Sequence, residues 1–256
     1  MGFYDLSKEN RTKRVQKIAS DVLKDLKSKK YNNILDVFSD EDTYIRKAGY
    51  QAIGKIHKKE LLEISKIIST LECLMDHLDE KVRQTTVNAA GEIGKTNFKE
   101  VRNFFDRGLF DPHHSVRNAV IGSIKKMGEK NPKPVFKWAS RYLEHPEKEI
   151  RREICHGIEL RGRTHPQDIL PMLKKLQNDS TKRVQNTLIH VLGQISYKKG
   201  CLQTVVEALN SWDNKILVRK ALDEIIDVHQ RYRNFAVLSQ KEAIAFIDAT
   251  YRYETS

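Results

Sequence analysis

One short phrase recurs along most of the chain at a nearly constant interval. It consists of an acidic residue, a few polar residues, Ile or Val, and then Arg or, in one copy, Gln. We call the last position of the phrase the marker, and its six copies are Arg46, Arg83, Arg117, Arg151, Gln185 and Arg219. The first interval between markers is 37 residues and the other four are 34 residues each. A fixed period of this length predicts tandem structural repeats, in which each supersecondary unit is stable only beside its neighbours.

Apolar residues surround the marker with helical spacing. Positions −1, +3 and +7 relative to it are mostly aliphatic, as in Val116, Val120 and Ile124 of the third copy. Three positions at this spacing form one stripe of an α-helix, so we expect a helix with a buried stripe at every marker. A second amphipathic stretch precedes most markers and predicts the first helix of each pair. These stretches are 61–78, 98–109, 134–143, 168–176 and 201–209.

Glycines occur late in several of the second helices, at Gly54, Gly94, Gly128 and Gly162. Glycine adopts the left-handed conformation that closes a helix without steric cost, so we expect these four residues to end their helices. The chain has only 12 Gly and 6 Pro, which argues against a β-protein with many turns.

The phrase Asp79-Glu80-Lys81-Val82-Arg83 resembles the turn before the second helix of HEAT repeats, in which an Asp and a Val-Arg pair occur. The resemblance covers roughly residues 30–230. It implies an all-α fold, a right-handed α-solenoid of about six HEAT-like helix pairs that form an alpha-alpha superhelix. We expect one solenoid over 1–256, with an N-terminal capping helix over 1–30, repeats over 31–230 and a C-terminal cap over 231–256.

The chain is basic, with 46 Lys and Arg against 34 Asp and Glu and a formal net charge of +12. This excess favours a nucleic acid or an acidic protein as partner, although a basic solvated surface would have the same composition. Cys73, Cys155 and Cys201 are far apart and form no CxxC, which argues against a disulfide framework or a zinc knuckle. The chain has no apolar signal core and no run of membrane-spanning length. We expect a cytoplasmic monomer with no membrane contact and no cofactor.

Polar side chains lie beside the apolar stripe of the second helices. Positions +1, +5, +8 and +12 share a face, which we expect to line the concave groove where solenoids usually bind their partners. The side chains predicted to line the groove are Lys47, Gln51, Gln84, Asn88, Asn118, Lys125, Arg152, His156, Glu159, Arg163, Asn186 and His190. Amide, imidazole and basic groups suit a phosphodiester backbone or an acidic peptide. A merely polar face on irregular repeats is the alternative.

Two further features allow more than one interpretation. The marker arginines could bind phosphates in a column, but their constant place beside a turn aspartate favours structural ion pairs. The fourth second helix is rich in charge, and its Glu153 and His156 form an ExxH, a spacing used by di-iron bundles. No second ExxH occurs, so no metal site is predicted. An acid–base role for Glu159 with His156 stays open beside a recognition cluster or internal ion pairs.

In fold, length, repeat number and charge the chain is also distantly similar to bacterial alkylpurine DNA glycosylases of the HEAT-like type. Those enzymes use groove tryptophans, a catalytic carboxylate and a phosphate-binding arginine. Here Trp138 falls in a first helix and Trp212 in a turn, so the paired-tryptophan segment is not present as such. For this activity the resemblance implies Glu159, Asp213 and Arg152 as candidates.

The sequence therefore predicts a HEAT-repeat binding protein whose basic, polar groove takes an acidic partner, with nucleic acid favoured. A DNA repair enzyme of the alkylpurine DNA glycosylase type is the first alternative, and a protein–protein scaffold is the second. The catalytic residues of the enzyme alternative would be Glu159 or Asp213.

Overall fold

The structure is a computed structural model that describes residues 2–252, and these residues form α-helices and short 3₁₀-helices without any β-strand. The all-α prediction is therefore confirmed. The chain divides into two compact units, unit 1 being Met1–Asn131 and unit 2 Pro132–Ser256. The helices of unit 1 are α1 (Lys8–Ser28), α2 (Asn32–Ser39), α3 (Thr43–Lys58), α4 (Ile64–Met75), α5 (Glu80–Gly108) and α6 (His114–Lys130). The helices of unit 2 are α7 (Pro132–Ala139), α8 (Lys148–Gly157), α9 (Glu159–Gly162), α10 (Leu170–Lys174), α11 (Lys182–Gln194), α12 (Cys201–Leu209), α13 (Lys215–Arg231) and α14 (Gln240–Thr250).

The repeat predicted from the markers is present in both units. Each marker lies in a second helix, which is α3, α5 or α6 in unit 1 and α8, α11 or α13 in unit 2. Asn97 has φ −119° and ψ 56°, and this break divides α5 into the second helix of one pair and the first helix of the next. The second helices of each unit pack side by side, α3 and α6 against α5 in unit 1, and α8 and α13 against α11 in unit 2.

The predicted stripe at −1, +3 and +7 forms the core in every copy, and only Ile226 is half-buried rather than buried. A further buried stripe lies at +2 and +6, where small side chains such as Ala48, Ala52, Ala89 and Ala119 are common. Small residues let neighbouring second helices approach closely, which explains why these helices are buried on two sides.

Three of the four late glycines do not end their helices. Gly54, Gly94 and Gly128 lie inside α3, α5 and α6, and these helices continue past them. The glycine with positive φ among the described residues is Gly200, just before α12. A Cβ on Gly91 would lie 2.8 Å from the Cβ of Ser123 on α6. Gly54 faces Glu92 of α5 and Gly94 faces Met127 of α6 in the same way, so these glycines serve close helix packing. Gly162, in contrast, is the last residue of α9, as predicted.

The turn before each second helix is held by the residue six positions before the marker. The side chain of this residue accepts a hydrogen bond from the backbone N–H two residues later. It is Asp40, His77, Asp111, His145 and Asp179 in the first five copies. An imidazole Nδ1 thus replaces a carboxylate oxygen in two of the turns, and this substitution was not predicted from the sequence.

The marker side chain clamps the same turn. Arg83 Nη1 donates to the carbonyls of His77 and Leu78, both at 2.8 Å. The equivalent guanidinium groups of Arg46, Arg117 and Arg151 bind the same two turn carbonyls, and Gln185 Nε2 binds one of them. The prediction of a structural role is therefore borne out by these copies.

Two of the markers also bind the next repeat. Arg83 forms a bidentate pair with Asp111 at 2.8 and 3.1 Å, and Arg151 forms the same pair with Asp179 at 2.5 and 3.1 Å. Burial alone would raise the pKa of both carboxyls. The hydrogen bonds from the arginine and from the turn N–H outweigh that effect and hold each pKa below its ordinary value.

Other sequence-level expectations concern the chain as a whole. Helices α1 and α14 occupy the predicted capping segments, while residues 253–256 of the predicted C-terminal cap lie outside the described residues. The single solenoid over 1–256 stays a prediction. Cys73, Cys155 and Cys201 are all free thiols. Among residues 2–252, none of the helices has the length and apolar content that a membrane crossing requires.

The pair between Arg151 and Asp179 is expected to stabilise unit 2 measurably. The Asp179 side chain is 4% exposed, so an Asp179→Ala change leaves a mostly buried guanidinium without its partner and Thr181 N–H without its acceptor. We expect the free energy of unfolding to fall by about 2–4 kcal/mol in urea titrations. Glu144→Ala is the control, because the Glu144–Lys175 pair is exposed and should contribute less than about 0.5 kcal/mol.

The same pair predicts a dependence of stability on pH. The pKa of Asp179 is lower in the folded protein than its ordinary value of 3.8, so its contribution is complete above that value and is lost as the pH falls towards the folded pKa. The difference in unfolding free energy between the wild type and Asp179→Ala should therefore be constant above about pH 5 and shrink below about pH 4. A difference that grew on acidification would contradict this assignment.

Two glycines on facing helices test the packing argument. Gly91→Ala pushes α5 against Ser123 and should destabilise the protein by about 1–3 kcal/mol. Gly122 also lies inside α6, but no atom lies within 4 Å of an added Cβ there. Gly122→Ala should therefore stabilise by about 0.5–1 kcal/mol through its higher helix propensity. Thermal and urea unfolding would compare the two variants, and effects of equal sign would contradict the argument.

Candidate functional site

The accessible face of the second helices agrees with part of the predicted groove. Side chains at positions +1 and +5 are exposed or half-buried in both units. They are Lys47, Gln51, Gln84, Asn88 and Asn118 in unit 1, and Arg152, His156, Asn186 and His190 in unit 2. Their binding role stays a prediction, and so does their alignment along one wall.

Position +8 differs from the expected arrangement. Gly91, Glu159 and Gly193 hold this position and are buried, and the side chain of Glu159 is only 1% exposed. The reason is that position +8 faces the neighbouring second helix, as the contact of Gly193 with Glu224 of α13 illustrates. Lys125 at the same position is half-buried. In unit 1 the accessible face continues instead through position +9, which carries Lys55 and Glu92.

Two clefts lie on this face in unit 1. The smaller one, of about 280 Å³, is formed by α3 and α5 and is lined by Lys47, Tyr50, Gln84 and Asn88 among others. Gln84 Nε2 donates to Ser115 O at 3.4 Å, and Asn88 Nδ2 donates to Gln84 O at 3.0 Å. These contacts fix the two amides beside Lys47, so the structure brings three of the predicted residues together.

The larger cleft, of about 580 Å³, lies towards the ends of α3, α5 and α6, and we call it the lysine cleft. Its lining residues are Gln51, Gly54, Lys55, His57, Lys58, Glu92, Lys95, Thr96 and Lys130. Four of these nine residues are lysines, whereas one carries a carboxylate. Glu92 forms an ion pair with Lys95 and lies 4.0 Å from Lys126 Nζ, which lies in turn 5.2 Å from the centre of the Tyr50 ring.

The electrostatics of this region reflect its excess of cations. Burial lowers the pKa of Lys126; Glu92 opposes this shift, while Lys95 and Lys47 lower the pKa further. Burial and the charge of Glu92 raise the pKa of Tyr50. A bound anion would relieve the repulsion among these ammonium groups, so the region is suited to a polyanionic ligand.

In unit 2 the predicted basic groups are engaged in internal ion pairs. Arg152 Nε lies 2.8 Å from Glu149, and Arg163 Nε donates to Glu159 Oε1 at 2.9 Å. Arg163 Nη2 also donates to Gln194 Oε1 at 3.0 Å. Both arginines therefore have carboxylate partners within their own unit, whereas in unit 1 Lys95 and Lys126 share the single carboxylate of Glu92.

A His–Glu cluster lies in the same region, formed by His156, Glu159 and His190. One ligand atom of each side chain lies within 4.8 Å of the other two. His156 Nε2 lies 3.3 Å from Glu159 Oε2, and His190 Nδ1 lies 3.8 Å from Glu224 Oε1. Burial lowers the pKa of His190, which outweighs the opposite effect of Glu159 and Glu224 and favours the neutral imidazole.

The catalytic candidates implied by the glycosylase resemblance are Glu159 and Asp213. Glu159 is held by Arg163, and Asp213 Oδ2 accepts a hydrogen bond from Gln177 Nε2 at 3.1 Å in the turn before α13. Trp138 and Trp212 are buried, at 2% and 1% exposure, so neither ring is presented to a ligand.

Part of the lysine cleft and of the His–Glu cluster was not predicted from the sequence. Lys55 and Lys130 were not among the predicted residues, because the stripe was drawn through position +8 and Lys130 lies at the end of its helix. The proximity of the two histidines had a signal in the sequence, since His156 and His190 both lie at position +5 of successive copies and are 34 residues apart.

A search of known protein families finds no match for this chain, and no curated protein matches it. Solved structures do match. One is a designed armadillo repeat protein in complex with the peptide (KR)4, with 15% identity, a TM-score of 0.42, and coverage of 80% of this chain and 98% of that chain. Another is the complex of CpcE and CpcF of phycocyanin lyase from Nostoc sp. PCC7120, with 13% identity, a TM-score of 0.35, and coverage of 84% and 92%. A computationally designed armadillo repeat protein for modular peptide recognition matches with 15% identity, a TM-score of 0.36, and coverage of 81% and 98%. These similarities concern the fold alone, and the helix pairs described above show that this chain has an all-α helical repeat fold.

Proposed function

We propose that this chain is a binding protein whose unit 1 holds the phosphate backbone of a nucleic acid in the lysine cleft. A helical repeat fold supports a binding or scaffold role in general. The observation that carries the finer proposal is the convergence of Lys55, Lys58, Lys95 and Lys130 on one cleft that contains a single carboxylate, Glu92.

The charge of the cleft favours a repeating anion over a neutral ligand. Each phosphate that a lysine neutralises releases condensed counterions, and this release is the main source of sequence-independent affinity for nucleic acid. The amides of Gln51, Gln84 and Asn88 lie on the same two helices, and amide side chains commonly donate to phosphate oxygens. A flexible, hydrated lysine fits this role because it binds as a point charge without fixed geometry.

The other two functions considered from the sequence have less support. An acidic protein would meet the same lysines, but its carboxylates are spaced irregularly, whereas phosphates repeat at short and regular intervals. For a glycosylase, the described residues offer Glu159 and Asp213, and both carboxylates already bind internal partners. Their engagement favours a binding role over catalysis at these two positions.

The double variant Lys58→Gln, Lys130→Gln tests the proposal. Both lysines are exposed at helix ends, so their replacement should leave the fold unchanged. We expect affinity for a short labelled DNA duplex, measured by fluorescence anisotropy, to fall roughly ten-fold at about 0.1 M salt. The slope of log affinity against log salt should flatten by roughly 1.8, since each lost phosphate contact accounts for about 0.9.

The matched control is Lys24→Gln, Lys27→Gln, which removes two exposed lysines of α1 outside the lysine cleft. The control should retain nearly wild-type affinity. Equal losses in the two double variants would show that binding depends on net charge and would overturn the proposed site. Displacement of the duplex by an equal charge concentration of polyglutamate would overturn the nucleic-acid assignment in favour of an acidic protein.

A further inference from the structure

The His–Glu cluster of unit 2 combines three potential metal ligands from two neighbouring repeats. His156 lies on α8 and Glu159 begins α9, while His190 lies on α11, which packs against α8. The nearest ligand atoms all lie within 4.8 Å of one another. This inference is independent of the proposed function, because it concerns different residues in the other unit.

The distances suit a small divalent ion. Zn²⁺ binds nitrogen and carboxylate ligands at about 2.0–2.2 Å, so two of its tetrahedral ligands lie about 3.3 Å apart. His156 Nε2 and Glu159 Oε2 are already 3.3 Å apart. His190 must approach by about 1.5 Å at most to satisfy the same geometry. Its side chain is 45% exposed, so a small rotation is not opposed by close packing.

Neighbouring side chains fix the orientation of Glu159 and add charge beside His190. Arg163 binds Glu159 Oε1 and is itself bound by Gln194, which leaves Oε2 turned towards His156. Glu224 Oε1 binds Arg231 and lies 3.8 Å from His190 Nδ1, so a further carboxylate stands beside the second histidine. Carboxylates close to ligating histidines are common in the outer shell of protein metal sites.

We propose that His156, Glu159 and His190 bind a divalent transition-metal ion of the Zn²⁺ class, with one coordination position left open. Two imidazoles and one carboxylate are the ligand set of open, reactive sites for such ions, whereas Ca²⁺ and Mg²⁺ prefer oxygen ligands alone. No metal site was predicted from the sequence because the chain contains no second ExxH. In the fold, the third ligand comes instead from the equivalent position of the next repeat.

A simpler interpretation is an internal ion pair of His156, Glu159 and Arg163. The two interpretations differ over His190, which has no role in the ion pair but is a ligand in the metal site. A variant at His190 therefore separates them without disturbing the buried carboxylate.

The experiment titrates Zn²⁺ into metal-free full-length protein in competition with a chromogenic chelator. We expect a single Zn²⁺ per chain in the wild type, and an affinity reduced at least roughly 100-fold in His156→Ala and in His190→Ala, since loss of an outer-shell group alone costs 10–100-fold. His114→Ala is the matched control, because His114 is an exposed histidine of unit 1, and it should bind as the wild type does. Co²⁺ added in place of Zn²⁺ should give visible absorption bands that both cluster variants lose.

Circular dichroism and thermal unfolding without metal establish that each variant is folded, and both cluster histidines are exposed enough for this to be expected. Zn²⁺ should raise the Tm of the wild type but not that of His190→Ala. The proposal is overturned if the wild type binds Zn²⁺ no more tightly than His190→Ala, or if His114→Ala loses as much affinity as the cluster variants.

Discussion

The hydrogen bonds from the marker side chain to the turn before its own helix determine how each repeat is built. The guanidinium of Arg83 or Arg151 donates hydrogen bonds to two backbone carbonyls of the turn that have no helical partner. The same guanidinium also binds an aspartate of the next repeat. One side chain thus fixes the start of a helix and the position of its neighbour. The second helices of neighbouring repeats therefore begin at equivalent positions, and their small residues at +2 and +6 are buried where these helices pack together.

The fold could be predicted from the sequence to a large extent because it depends on a period. An apolar stripe at −1, +3 and +7 of each marker specifies a helix and its buried side, and the same interval repeated along the chain specifies a stack. Gly54, Gly94 and Gly128 were assigned wrongly for a physical reason. A small residue late in a helix serves equally to end it or to admit a neighbouring helix, and only the positions of Glu92 opposite Gly54 and Met127 opposite Gly94 distinguish these roles.

The candidate sites were less predictable, because they depend on which face of a helix its neighbours cover. Helical spacing allowed the accessible face to pass through either +8 or +9, and contacts between adjacent second helices decide against +8. Glu159 is therefore buried and paired with Arg163, whereas Lys55 opens onto the lysine cleft. Lys58 and Lys130 come from the ends of two helices whose convergence is a property of the packing and not of either segment alone.

The residue that holds each turn alternates between aspartate and histidine over the first five copies, and this alternation has mechanical consequences. A histidine can cap the turn as well as an aspartate does, but it lacks the negative charge that draws in a guanidinium from the preceding copy. Arg83 with Asp111 ties the second copy to the third, and Arg151 with Asp179 ties the fourth to the fifth. In a stacked array the coupling between neighbours determines which segments open together. We therefore expect the second copy to open together with the third, and the fourth together with the fifth, when the protein unfolds.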